Sequence, residues 1–277
     1  MGERLSGKRI LAVGCGQGLG ATTCERMAEQ GAAIVVADID LDKTQQTAAR
    51  IVTAGGRALG VWVDVGAEAA VRDLVQASVS WLGGLDVVFN NAAILGTPEV
   101  FDDAMLPVTE ISADVWDATM RVNVRGPWLV CKYAIPRMTG GGSIINTGSL
   151  AATATMPRSG AYSVSKGAVN TLSRVIATQY GKQGIRCNTI NPGYIESRHM
   201  PAGYGETVML QHTLTPRVGV HDDIAMLAVF LASDESGYVT GQSLNVDGGF
   251  MSHGPTWAQM SRPDAPRNRV APDGTIR

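Results

Sequence analysis

Short apolar runs alternate with longer helix-period segments from Lys8 to about Gly249, and this rhythm narrows the possible folds more than anything else in the chain. The runs Arg9–Val13, Ala33–Ala37, Ala58–Val63, Leu85–Asn90, Ser143–Thr147 and Ile185–Ile190 are mostly apolar throughout, as strands covered on both faces must be. Helical patterns fill Leu19–Glu29, Asp42–Thr53, Glu68–Trp81, Ala113–Met138 and Ala161–Gly181 between them. Such alternation predicts an α/β fold: one doubly wound parallel sheet of about seven strands with helices on both faces. Residues 1–250 read as that single domain. Gly96–Ser112 is a long connection after the fourth run, and residues 251–277, rich in Pro, Arg, Ser and Asp, read as a surface arm or disordered extension.

The 277 residues carry a formal net charge of −2, so no basic field gathers nucleic acid. Cys15, Cys24, Cys131 and Cys187 form no C-x-x-C pair, and the four histidines are scattered, so no metal site is expected. No segment has the apolar length of a signal peptide or of a membrane span of ~20 residues. A cytoplasmic, reduced protein without membrane or nucleic-acid partners is expected.

Val13–Gly20 (VGCGQGLG) closes the first strand run and opens the first helix. In a doubly wound sheet, that turn is where helix N–H groups meet a ligand phosphate, and glycines allow positive φ and close backbone approach. The spacing G-x-G-x-x-G fails because position 19 is Leu19, and no Gly-Lys-Ser/Thr follows for a Walker loop. G-x-x-x-G-x-G fits through Gly14, Gly18 and Gly20, with Gly16 to spare. Here the chain resembles the short-chain dehydrogenase/reductase family, whose usual T-G-x-x-x-G-x-G has threonine where Val13 stands.

The resemblance covers roughly residues 5–250. It implies a Rossmann-like dinucleotide site with Gly14, Gln17, Gly18, Leu19 and Gly20 at the pyrophosphate. Asp38, in VVADID, is placed to accept from both hydroxyls of an adenosine ribose and to repel a 2′-phosphate. Cys15, Gln17 and Ile39 stand where members using the phosphorylated cofactor often carry Arg or Lys, so NAD is the expected cofactor. Asp64-Val65 is similar to the family's adenine-side pair. Asn90-Asn91-Ala92-Ala93 is similar to N-N-A-G, with Asn90 expected to stabilise the central strand. Pro192, Gly193, Ile195 and Ser197 of NPGYIES are similar to the N-P-G-x-I-x-T element at the carboxamide side.

Tyr162 and Lys166 form Y-x-x-x-K, one turn apart on one helix face, with Ser149 thirteen residues upstream and Asn123 in RVNVRG. The resemblance makes Asn123, Ser149, Tyr162 and Lys166 the catalytic set. Alcohol oxidation needs a base for the hydroxyl proton, and free tyrosine, with pKa about 10, is a poor one. An ammonium about 4 Å away is worth roughly 4 kcal/mol at an effective dielectric near 20, enough to lower that pKa by about three units. Ser149 would hold the substrate oxygen. Lys166 would bind the nicotinamide ribose, and Asn123 would hold a relay water.

The expected activity is NAD-dependent interconversion of a secondary alcohol and a ketone, with Tyr162 as general acid/base. An NADPH-using enzyme like a 3-oxoacyl carrier-protein reductase, and a catalytically silent regulatory protein, are the alternatives; Asp38 and the four filled positions weigh against them. Substrate is expected to meet Ser149, Tyr162, Met156 and a lid over 198–217 that carries His199, Met200 and Tyr204. His221 and His253 have no such context and read as surface residues. The resemblance implies a homotetramer or dimer, paired through the helices at Ala113–Met138 and Ala161–Gly181 and the last strand.

Overall fold

The computed structural model describes residues 3–95, 106–155, 158–196 and 209–254. Seven parallel strands, β1 (Arg9–Val13), β2 (Ala33–Asp38), β3 (Arg57–Trp62), β4 (Val87–Asn90), β5 (Gly142–Thr147), β6 (Ile185–Pro192) and β7 (Ser243–Val246), form one sheet. Their order is β3-β2-β1-β4-β5-β6-β7. The helices are α1 (Gly18–Glu29), α2 (Leu41–Thr53), α3 (Glu68–Leu82), α4 (Ala113–Met120), α5 (Gly126–Ala134), α6 (Gly160–Tyr180) and α7 (His221–Ala232).

Strand residues alternate between two cores, which is why the runs are apolar at nearly every position. Leu11, Val13, Val35, Ala37, Val88 and Ile144 face Val71 and Leu74 of α3, Leu129 of α5 and Ile176 of α6. Ile10, Ala12, Ile34, Val36, Val87, Phe89 and Ile145 face Cys24 and Met27 of α1 and Ile224, Ala228 and Leu231 of α7. The predicted doubly wound sheet is therefore the observed one. All four cysteines are buried and free. Among the described residues no His/Cys/Asp/Glu cluster could hold a metal, and no helix is long and apolar enough to cross a membrane.

Three elements differ from expectation. The span Ala113–Met138 is not one helix: α4 ends at Met120, residues Arg121–Arg125 form a π turn, α5 follows, and Ile135–Arg137 is a 3₁₀ turn. Pro127 lies just inside α5, where it has no N–H to give the preceding turn, and the widened turn sits immediately before it. Helix α7 was not foreseen at all. Ile224, Ala225, Ala228, Val229, Leu231 and Ala232 are all buried, so its apolar residues wrap most of the helix and leave no polar stripe to reveal the period. Finally, β4 starts at Val87 rather than Leu85, while Asp86 pairs with Arg9. The Arg9 Nη2 donates to Asp86 Oδ1 at 2.7 Å and its Nε donates to Asp86 Oδ2 at 2.8 Å, tying β1 to the entry of β4.

Because β1 connects to β2 on one side and pairs with β4 on the other, the chain reverses direction across the sheet at β1/β4. The C-terminal ends of these two strands open the crevice in which such sheets bind ligands.

Candidate active site

The glycine turn fills that crevice. Gly14 has φ +76°, and a Cβ there would overlap the backbone nitrogen of Ala92, which follows β4. The two loops can meet so closely only without that carbon: Asn91 N and Ala92 N both donate to the Val13 carbonyl, at 2.8 and 3.1 Å. Gly20 is equally constrained, since its Cβ would lie 2.6 Å from the Gly14 carbonyl oxygen. Gly14→Ala is expected to lower unfolding free energy by on the order of 3 kcal/mol in urea denaturation. Gly55→Ala, at φ +90° with nothing within 4 Å, should cost only about 1 kcal/mol. Equal costs would refute the close-approach argument.

Helix α1 starts at Gly18 (φ +56°), with Gln17 extended at its N-cap. No side chain caps it and its first turn holds no acid, so its positive end is left for an external anion. Leu19 packs on the α1/α7 core. Asp38, at the end of β2, accepts the Gly16 N–H on Oδ2 at 3.0 Å, and the neighbouring Ile39 is 64% exposed. A bare glycine cradle, an uncapped helix and a strand-end carboxylate fit the diphosphate and ribose of a dinucleotide.

Asp64 follows β3 and accepts the Gly66 N–H at 2.8 Å and the Arg121 guanidinium at 3.0 Å. The expected adenine-side acid is thus already ion-paired to the π turn. Val65 is buried beside it, and Ala93 is exposed. Gly193 N donates to the Val246 carbonyl at 2.9 Å, and a Cβ on Gly193 would approach Asp247 Cα to 2.6 Å, so Pro192 and Gly193 run tightly against the end of β7. Ile195 bridges in parallel to Gly219.

The four residues expected to be catalytic lie on the far wall. Asn91 spans the gap: its Nδ2 donates to the Gly14 carbonyl at 2.7 Å, and its Oδ1 accepts from the Thr147 hydroxyl at 3.1 Å. The Thr147 carbonyl in turn accepts the Lys166 ammonium at 2.8 Å. Lys166 is 2% exposed and its Nζ lies 5.5 Å from the centre of the Tyr162 ring, one turn back on α6. The Ser149 hydroxyl faces the Tyr162 phenol and accepts from Ala151 N at 3.1 Å.

Burial holds the Tyr162 phenol above its ordinary pKa, against the opposing Ser149 hydrogen bond. The expected strong depression by Lys166 is therefore absent. The ammonium is turned to Thr147 rather than to the phenol oxygen, and burial lowers Lys166 itself to about 8. Asn123 lies in the π turn and is buried, and its side-chain amide is bonded to protein groups. Oδ1 accepts from Ile94 N and Nδ2 donates to the Ile94 carbonyl, both at 2.8 Å, with a further bond to Ser165 Oγ at 3.1 Å. It clamps the loop after β4 onto α6. Asn90 donates to Asn146 Oδ1 at 2.9 Å, joining β4 to β5 as expected of a strand-stabilising residue.

Several participants carried no legible signal. Asn191 Oδ1 accepts the Ser149 backbone N–H at 3.1 Å, and Ser159 before α6 is the one non-glycine among the described residues with positive φ, at 68°. His221 opens α7 half-buried, and its Cε1 is 3.9 Å from the point where a Gly18 Cβ would stand. His253 is likewise engaged, its Nε2 lying 2.7 Å from the His212 carbonyl oxygen. Met156, Ser197, His199, Met200 and Tyr204 lie outside the described residues.

The family described as Enoyl-(Acyl carrier protein) reductase matches residues 14–251. A probable short-chain type dehydrogenase/reductase of Bradyrhizobium diazoefficiens is 38% identical over 270 residues, covering 95% of this chain and 94% of that one. The chain belongs to the short-chain dehydrogenase/reductase family. A cyclohexanol dehydrogenase of Acinetobacter sp. is 32% identical over 254 residues, covering 91% of this chain and 98% of its own. Among solved structures, a short-chain dehydrogenase/reductase from Serratia marcescens superimposes with a TM-score of 0.82 at 31% identity, covering 89% of this chain and 99% of that one. As a short-chain dehydrogenase/reductase, the protein is an oxidoreductase whose fold implies a nicotinamide cofactor.

Proposed function

We propose that this short-chain dehydrogenase/reductase interconverts a secondary alcohol and a ketone with NAD. The observation that carries the reading is the Asn91 bridge, because it sets the Ser149–Tyr162–Lys166 group directly across from the uncapped α1 and its glycine turn. When bound, the nicotinamide would accept or return the hydride at the substrate carbon. The chain's own groups handle the oxygen and the proton. Ser149 would hold the substrate oxygen against Tyr162, whose phenol takes the hydroxyl proton in oxidation and returns it in reduction. Lys166 would supply positive charge and a ribose contact. Asn123 is a positioning residue acting through Ile94 and Ser165.

Asp38 supports NAD over NADP. Its carboxylate ends β2 beside the turn, where a 2′-phosphate would meet like charge. The printed name of the Acinetobacter relative supports a cyclic secondary alcohol as the first substrate to try. The test is reduction of NAD and NADP by a panel of cyclic and open-chain secondary alcohols, run alongside 3-oxoacyl thioester reduction by NADH and NADPH. Turnover with NAD and a secondary alcohol is expected. Turnover only with thioesters and NADPH, or with nothing while dinucleotide still binds, would replace this reading with an acyl-reductase or silent-protein one.

A further inference from the structure

Gly16 is the glycine that the family spacing does not use, and the structure shows what it accommodates. A Cβ at Gly16 would lie 3.1 Å from Lys43 Cβ and 3.2 Å from both Cβ and Cγ of Asp38. The turn, the end of β2 and the first turn of α2 therefore meet at one point, further fixed by Thr47 Oγ1 donating to the Gly16 carbonyl at 2.9 Å. Asp38 Cγ and Lys43 Cβ are consequently within about 6 Å of each other. The rest of the lysine stem is long and flexible enough to bring its ammonium to whatever the Asp38 carboxylate faces.

In the structure that ammonium rests on Asp40 Oδ2 at 3.0 Å, with the two side chains 42% and 39% exposed. An ion pair this open is worth little and is readily exchanged for a better anion, such as a phosphate monoester. Asp38 therefore stands beside a cation that, among the described residues, is paired only with the half-exposed Asp40.

We propose that Lys43 is a cofactor-specificity residue that reaches the 2′ position of the adenosine ribose and partners a phosphate there. Preference for the unphosphorylated dinucleotide is thereby smaller than Asp38 alone would impose. The inference rests on Asp38 reading the ribose as proposed above.

Isothermal titration of the full chain with ADP-ribose and with 2′-phospho-ADP-ribose tests it without any turnover. The readout is the ratio of the two Kd values in wild type, Lys43→Gln, Asp38→Asn and the double variant. Asparagine keeps an oxygen for the Gly16 N–H. Asp38→Asn is expected to improve relative binding of the phosphorylated ligand by at least about tenfold, and Lys43→Gln to worsen it about fivefold in either background. If Asp38→Asn shifts the ratio but Lys43→Gln leaves it within twofold in both backgrounds, the role of Lys43 is overturned and that of Asp38 stands. If Asp38→Asn leaves the ratio unchanged, both are overturned.

Discussion

Tyr162→Phe is expected to lower alcohol oxidation by about 10³-fold while leaving the Kd for dinucleotide within about twofold. The substitution keeps the ring on α6 and removes only the hydroxyl that faces Ser149, so packing and the glycine turn are untouched. The pH profile supplies a second readout. Burial holds the phenol above its ordinary value, so the base form grows as pH rises and the acid form dominates at neutral pH. Wild-type oxidation should therefore climb with pH, and ketone reduction should fall over the same range. Residual activity of the Phe variant should lack both slopes. Stopped-flow hydride-transfer rates from pH 6 to 10 give all of these values, and a variant retaining full turnover would remove Tyr162 from the mechanism.

Lys166→Met should give the second large effect, in opposite directions for activity and stability. Lys166 is 2% exposed, with one hydrogen bond to the described residues, on the Thr147 carbonyl. Burial lowers its folded pKa from 10.5 to about 8. Between those values the unfolded chain holds a proton that the folded chain has lost, so stability must rise with pH from about 8 to 10.5. Below pH 8 the full penalty for burying the charge applies, about 3 kcal/mol. Methionine removes the penalty and the Thr147 bond, so the variant should be more stable than wild type at pH 7 by about 2 kcal/mol. Its unfolding free energy should lack the wild-type rise between pH 8 and 10. Its turnover should fall at least about 10²-fold. Urea unfolding at pH 7 and pH 10 decides the matter: a variant less stable at pH 7, with the wild-type pH slope intact, would mean that the ammonium is not buried at a cost.

Legibility of the molecule followed burial and spacing. The central strands were readable because residues such as Ile10 and Leu11 are buried on opposite faces, leaving nothing polar in the run. The glycine turn was readable because its demands are conformational and fall on fixed positions, Gly14, Gly18 and Gly20. Pairings between distant side chains were not readable. No local pattern announces that Asp64 will meet Arg121 or that Asn123 will spend its amide on Ile94 and Ser165. Helix α7 was hidden by being apolar around most of its surface, and with it the approach of His221 to Gly18. Gly16 looked superfluous along the chain because Lys43 and Asp38 reach it from another strand and helix.

The strand order also fixes when a functional site can exist during synthesis. β1 pairs with β2, which in turn pairs with β3, both nearby in the chain, but the other neighbour of β1 is β4, and Asp86 lies 77 residues beyond Arg9. Once Trp62 has emerged, the half-sheet β3-β2-β1 can form, with the whole outer edge of β1 unpaired until Asn90 follows. That edge is apolar and ends at the glycine turn, so a growing chain presents a template for mispairing where the cofactor cradle will later close. Chains stalled between these two points should therefore be the aggregation-prone species, and β4 acts as the protein's own edge protector before it serves as a wall of the crevice.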